Sequence, residues 1–243
     1  MEEQVIGIVG GMGSFATLDF FKRVLLAYPA EKEWDRPRVI VDNRCTMPSR
    51  VRAVLYGEQY DTVKRELTKS IAMMIEQGAT DIVLACNTSH CFLNDILEEN
   101  PHFQKKIHHI IKLCAEEMHQ AHIDEAYLLA TEGTIATKIY DSEFSQHGIR
   151  LYSPDTSEQV MIREFIEAVK QNHITAEIKN KFLAYLNCIP SRCVILGCTE
   201  LPILYQQVVS CGCTVEKIVM DPLDSAIKEL KRRSRRHEKN QSR

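Results

Sequence analysis

Cys86 and Cys198 are the residues of this chain best suited to acid/base chemistry, because each stands directly after an apolar run and before a polar turn. The first run, Ile82-Val83-Leu84-Ala85, leads into Cys86-Asn87-Thr88-Ser89-His90; the second, Val194-Ile195-Leu196-Gly197, leads into Cys198-Thr199-Glu200-Leu201-Pro202. Aligned on the cysteines, Ile82 to Asn87 lies over Val194 to Thr199, so two thiols end two equivalent buried strands. Backbone amides and a helix dipole at such a turn make thiolate accessible. A thiolate takes a proton and a thiol returns one, so two facing thiols make a pair of acid/base groups. A single strand-end cysteine reads as an inert core thiol. Two at matching positions call for a function.

Other candidates surround them. Gly10-Gly11-Met12-Gly13-Ser14-Phe15-Ala16 follows a strand and opens a helix, with the Gly-x-Gly-x-x-Ala spacing of a dinucleotide fingerprint and Asp42 in position for a ribose-binding acid. A nicotinamide cofactor would explain neither cysteine, and the glycines equally suit any small anion at a helix N-terminus. Arg44 and Arg50 flank a loop braced by Pro48, an arrangement fit for bidentate capture of a carboxylate. His90 either relays a proton or fixes the turn after Cys86. No Cys-x-x-Cys pair and no histidine pair at i,i+4 with an acid between are present, so no metal site is expected. The remaining seven cysteines read as core or surface thiols.

Positioning these residues takes an α/β fold. Strand-length apolar runs at Val5–Val9, Val39–Val41, Ile82–Leu84, Ala126–Leu129, Cys193–Leu196 and Val215–Val219 alternate with helix-like segments. Val63, Leu67, Ile71 and Ile75 predict a helix between Gln59 and Gly78 with one apolar stripe. The chain reads as two similar halves, each a strand running into a turn and then a strand ending in cysteine. The expected architecture is two pseudo-symmetric Rossmann-like lobes with mostly parallel sheets, the site lying in the cleft between them beyond the strands' carboxyl ends. Residues 1–100 with about 210–233 form the first lobe, residues 101–209 the second, and 234–243 a basic, disordered tail. Its 243 residues, 44% of them hydrophobic, support a sizeable core. A net charge of −3, with basic residues concentrated only at Lys231-Arg232-Arg233-Ser234-Arg235-Arg236, gives no bulk attraction to nucleic acid. No apolar run approaches the roughly 18 residues of a membrane span, the start Met1-Glu2-Glu3-Gln4 is not that of a secretory signal, and an odd number of cysteines without framework spacing favours the reducing cytoplasm.

With these residues assembled, the chain resembles the cofactor-independent aspartate/glutamate racemase superfamily, and most closely its aspartate racemase branch. Gly10-Gly11-Met12-Gly13, Cys86-Asn87-Thr88 and Gly197-Cys198-Thr199-Glu200 carry the resemblance, which runs nearly end to end. Glutamate racemases carry an Asp-Ser-Gly start and a histidine after the second Cys-Thr, where this chain has Gly11-Met12 and Glu200. The resemblance implies two lobes enclosing an acidic amino acid, with Cys86 and Cys198 working on opposite faces of its α-carbon and Cys198 serving the L form. It implies that Asn87, Thr88 and Thr199 hold the α-carboxylate, Arg50 the side-chain carboxylate, and Lys170 the acid groups, with Met12 and Ser89 also at the substrate. No cofactor and a homodimer are implied. Two departures stand out: Ser14 replaces a helix-starting proline, and Ser49 replaces an aspartate beside the substrate arginine. The second bears on strict aspartate specificity and leaves open a glutamate or broad-specificity racemase, a diacid isomerase, and, outside enzymes, an acidic-amino-acid binding protein.

Overall fold

The computed structural model describes residues 3–241, with side chains through residue 235. Two four-stranded sheets are built in the same order. In the first, β1 (Val5–Gly10) lies between β2 (Arg38–Asn43) and β3 (Asp81–Leu84), and β4 (Ile107–His108) extends the β3 side. In the second, β5 (Glu125–Leu129) lies between β6 (Arg150–Tyr152) and β7 (Cys193–Leu196), with β8 (Ile218–Met220) beyond β7. Every pairing is parallel. All four residues of β3 and of β7 are buried, which is why neither run alternates. Cys86 and Cys198 each follow the last residue of these strands by two positions, at the carboxyl edge of their sheets.

The helices follow the apolar spacing. Helix α1 (Ser14–Ala27) leaves the glycine turn, α2 (Arg50–Tyr56) follows the β2 loop, and α3 (Tyr60–Glu76) buries Val63, Leu67, Ile71 and Met74. Ile75 packs on the same core but only partly buried, and Met74 is the fully buried residue of that turn, because a 3.6-residue period drifts away from a strict step of four. After β3 come a 3-10 turn at Thr88–Phe92, α4 (Leu93–Glu99) and, past β4, α5 (Ile110–Gln120). The second half contributes α6 (Glu132–Ala136), α7 (Ile139–Ser145), α8 (Thr156–Lys170), α9 (Ala176–Cys188) and α10 (Leu201–Ser210). One core spans both sheets, joining Ile6, Ile8 and Val83 to Ala126, Leu128 and Ile195 through α5 and the last helix; each sheet's other face has a core of its own.

Three expectations about organisation need correction. The strand expected at Val215–Val219 lies at Ile218–Met220 and pairs with β7, so it edges the second sheet, not the first. Conversely, β4 falls within 101–209 yet pairs with β3 of the first sheet. The stretch beyond residue 233 continues helix α11 (Pro222–Gln241), where a disordered tail was expected; residues 242–243 lie outside the described residues. Pro222 opens α11, and Asp221 Oδ1 caps it by accepting the Leu223 N–H at 2.9 Å. Helix α11 bridges the sheets: it starts from β8, packs on α5, and sends Arg233 to Asp81 at the head of β3 (2.6 Å).

Asp81 is 1% exposed and also accepts from Thr80 (2.8 Å) and meets His108 Nε2 at 2.7 Å. Burial alone would raise its pKa, but His108, Thr80 and Arg233 outweigh it and hold the carboxyl well below the usual range. A carboxyl depressed in the folded state stabilises above its unfolded value, about 4, and loses that contribution as pH falls toward its folded value. The stability advantage of wild type over Asp81→Asn should therefore shrink as pH falls below 4, read as urea midpoints.

Candidate active site

A cleft of about 50 Å³ opens where the carboxyl edges of the two sheets meet. From the first half, Met12, Ser49, Arg50, Val51, Cys86, Asn87 and Thr88 line it; from the second, Thr131, Lys170, Cys198, Thr199 and Glu200. Of the residues that the resemblance places at the substrate, all but Ser89 thus face one space; Asp42, Arg44 and His90 do not line it. Its walls are tied across the halves by Thr88 Oγ1 to Thr134 Oγ1 (2.8 Å) and Thr131 Oγ1 (3.2 Å).

The glycine turn is shaped by packing. Gly11 has φ +79°, and a side chain there would meet the Arg44 backbone at 2.3 Å. Its N–H donates to Thr17 Oγ1 (2.9 Å), so that amide is not offered to an anion. Asp42 is occupied as well, accepting from Ser70 (2.6 Å) and Arg44 (3.1 Å). Arg44 goes on to Glu66 (2.6 Å) and does not reach the cleft, so of the two loop arginines only Arg50 lines it.

Arg50 opens α2 behind Ser49, whose hydroxyl caps the helix by accepting the Arg52 N–H at 3.3 Å. Serine thus keeps the capping role that an aspartate would fill, without its charge. The Arg50 guanidinium donates to the carbonyls of Pro48 (3.0 Å) and Met12 (2.7 Å), and its buried Nε has no partner. Among the described residues it makes no ion pair. An arginine satisfied only by carbonyls keeps its full charge for an anion. Lys170, in the last turn of α8, is exposed at the cleft edge and bonds Glu167 (3.0 Å). Desolvation there works against its charge, but Cys198, Glu200 and Glu167 outweigh this and raise its pKa.

The cysteines differ in their surroundings although both are 7% exposed. Cys198 Sγ donates to Glu200 Oε2 at 3.0 Å. Burial, then the Glu200 charge and this hydrogen bond, push the thiol well above the usual range, with Lys170 opposing. Glu200 is 2% exposed, and its Oε1 is unpartnered and lies where a side chain on Gly13 would stand, 2.1 Å from that Cβ position. Gly13 is therefore the residue that leaves room for the carboxylate. No carboxylate bonds Cys86 among the described residues. Its carbonyl is fixed instead, accepting from Ser89 Oγ (2.7 Å) and meeting His90 Nδ1 at 2.9 Å. Ser89, expected at the substrate, turns its hydroxyl back to the chain and shapes the turn. His90 is likewise a fixing residue: its Nε2 accepts the Ile110 N–H (3.4 Å), and burial lowers its pKa to about 4, so the ring is neutral near pH 7.

Asn87 is buried, and its Oδ1 accepts from Tyr140 (2.6 Å) while Nδ2 has no partner. Thr199 Oγ1 donates to Glu200 Oε2 at 3.4 Å. Glu200 and Thr131 are the cleft residues whose part was not read from sequence. Glu200 had one signal, as the only carboxylate in either strand-end turn; Thr131 stands two residues past β5, as Met12 stands two past β1. A second cavity, about 290 Å³, lies against His90 and His109 and touches neither Cys86 nor Cys198. Among the described residues no group of His, Cys, Asp and Glu is placed to hold a metal ion, and no helix is long and apolar enough to cross a membrane.

Residues 9–230 match the family model of Asp/Glu/hydantoin racemases. The chain belongs to that family. It is 27% identical over 179 residues, covering 70% of this chain and 73% of the relative, to the broad-specificity amino-acid racemase RacX of Bacillus subtilis (strain 168). Its fold is that of Picrophilus torridus aspartate racemase, with a TM-score of 0.81 at 22% identity over 95% of this chain and 94% of that one. Glutamate racemase of Francisella tularensis subsp. tularensis SCHU S4, solved with D-glutamate, matches with a TM-score of 0.63 at 18% identity over 98% and 83%. This racemase-family chain is an isomerase with the two-lobe fold of those structures.

Proposed function

We propose that the protein interconverts L- and D-aspartate by a cofactor-independent, two-cysteine proton transfer at the α-carbon. The observation that carries this reading is the single cleft walled by Cys86 from one sheet and Cys198 from the other. Two cleft cations, Arg50 and Lys170, against one carboxylate, Glu200, suit a ligand carrying two carboxylates and one ammonium. In the resting site Cys198 holds its proton through burial and Glu200, and Cys86 is the base. Cys86 removes the α-proton, Cys198 donates one to the opposite face, and the roles are then exchanged. The negative charge developing on the carboxylate side of the carbanion meets the Asn87 amide, whose Nδ2 is free to donate. The cysteines are all free thiols, in keeping with a cytoplasmic enzyme, and the resemblance adds a homodimer. The RacX relative and the missing carboxylate at Ser49 favour a second reading, in which the same chemistry extends to other amino acids.

The test is incubation with L-aspartate in deuterated water without cofactor, followed by chiral chromatography and mass spectrometry. α-Deuterated D-aspartate is the expected product; a mixed panel of L-amino acids run alongside separates the second reading. No D product and no exchange from any of them would leave an isomerase of unlike substrate or a binding protein. The resting assignment has its own check. Removing the Glu200 charge lowers the Cys198 pKa although burial, the larger cause, still raises it, so Glu200→Gln should be alkylated at Cys198 faster than wild type at pH 7.5. Peptide mapping after iodoacetamide reads both, and an unchanged Cys198 rate would refute the role given to Glu200.

A further inference from the structure

The Asn87 side chain is held by a residue 53 positions away, in the other half of the molecule. Tyr140 lies on α7, is fully buried, and sits in the core that spans both sheets, its ring 5.5 Å from that of Phe144. Its hydroxyl reaches Asn87 Oδ1 at 2.6 Å. That length suits O–H···O rather than N–H···O, which centres near 2.9 to 3.0 Å. Burial keeps the hydroxyl protonated, as a donor. A donor on one end of an amide decides the other: Oδ1 is spent on Tyr140, and Nδ2, buried without a partner, is left to the cleft that Asn87 lines.

We propose that Tyr140 is a positioning residue, whose hydroxyl orients the Asn87 amide so that its N–H groups face the substrate α-carboxylate. The proposal rests on the racemase reading. Were the amide reversed, its carbonyl would face the carboxylate and repel it. The bond also crosses between the halves, like those of Thr88 to Thr131 and Thr134. The amide is thus set before a ligand arrives.

The test is a double-mutant cycle with Tyr140→Phe and Asn87→Ala, read as kcat/KM for α-proton exchange and as thermal midpoint. Tyr140→Phe keeps the ring and should lower kcat/KM about tenfold, the scale of one net hydrogen bond. In the Asn87→Ala background the same change should have no further effect, because the group it orients is gone. An equal loss in both backgrounds would overturn the proposal, showing Tyr140 to act through packing alone, while the racemase reading stood. Absence of exchange in wild type would instead sink that reading and this proposal with it, so the two failures are told apart by the wild-type arm.

Discussion

Cys86→Ala and Cys198→Ala should each reduce racemisation by at least about 10³-fold, within the 10² to 10⁴ range of a positioned acid or base, and yet each should keep exchange of one enantiomer's α-proton. Inversion needs a base on one face and an acid on the other, so loss of either thiol stops it. The surviving cysteine can still take a proton from its own side and return a deuteron there. The two variants should differ in pH. With Cys198 removed, Cys86 remains, free of any bonded carboxylate among the described residues. With Cys86 removed, only Cys198 remains, its proton held by burial and by Glu200 at 3.0 Å, so exchange should be slower and should rise toward alkaline pH. Chiral separation followed by mass spectrometry in deuterated water reads inversion and exchange in one sample. Both thiols line the cleft wall, so trimming one sulfur should leave the thermal midpoint within a few degrees, on the scale expected for about 1 kcal/mol or less in a chain of this length. Normal racemisation by both variants would end the two-base scheme.

How far the sequence foretells this arrangement depends on the range of the interaction. The strands carrying the cysteines were legible because burial on both faces writes an uninterrupted apolar run, and the repeat of that run exposed the internal symmetry. The two- and three-residue strands β4 and β6 carry no such run; their existence follows from pairing with β3 and β5. Which sheet receives β8 is equally silent in its three residues and is fixed by register, Cys193 opposite Ile218. Helix α11 touches both halves, which is why its stretch could be attributed to the first. At the site, the residue types were visible and their orientations were not. Ser89 and His90 have the polarity of substrate ligands, yet both spend it on the Cys86 carbonyl, since a buried strand-end turn must satisfy its own backbone first. Arg44 and Arg50 are neighbours in sequence but diverge, one to Asp42 and Glu66 and the other to the cleft. Tyr140 carried no signal at all: a buried tyrosine needs some partner, and nothing near it in sequence says that the partner is Asn87.

Asn87→Ala should be the most damaging change that leaves both thiols in place, with a loss in kcat of about 10² to 10³, the range for removing one donor to a developing oxyanion. Thr88 looked its equal from sequence, but the Thr88 hydroxyl is already shared with Thr131 and Thr134, whereas the Asn87 Nδ2 is buried with no partner. A buried donor left unpaired is itself costly, by about 1 to 3 kcal/mol, so the fold gives up stability to keep it available to a ligand. Removing it should therefore cost little in thermal midpoint, the principal debit being the Tyr140 hydroxyl left without its acceptor. Thr88→Ala should show the opposite balance, with a smaller kinetic loss and a weakened tie between the halves. Asn87→Asp sharpens the comparison, since it keeps the shape and the acceptor for Tyr140 but replaces the donor with an oxygen. It should be at least as inactive as the alanine variant, because a carboxylate there repels the α-carboxylate it would have to hold. Steady-state kinetics in both directions, with midpoints measured on the same preparations, distinguishes these outcomes. An Asn87→Asp enzyme with near-normal kcat would mean that the developing charge is held elsewhere in the cleft, by the turn amides or Lys170.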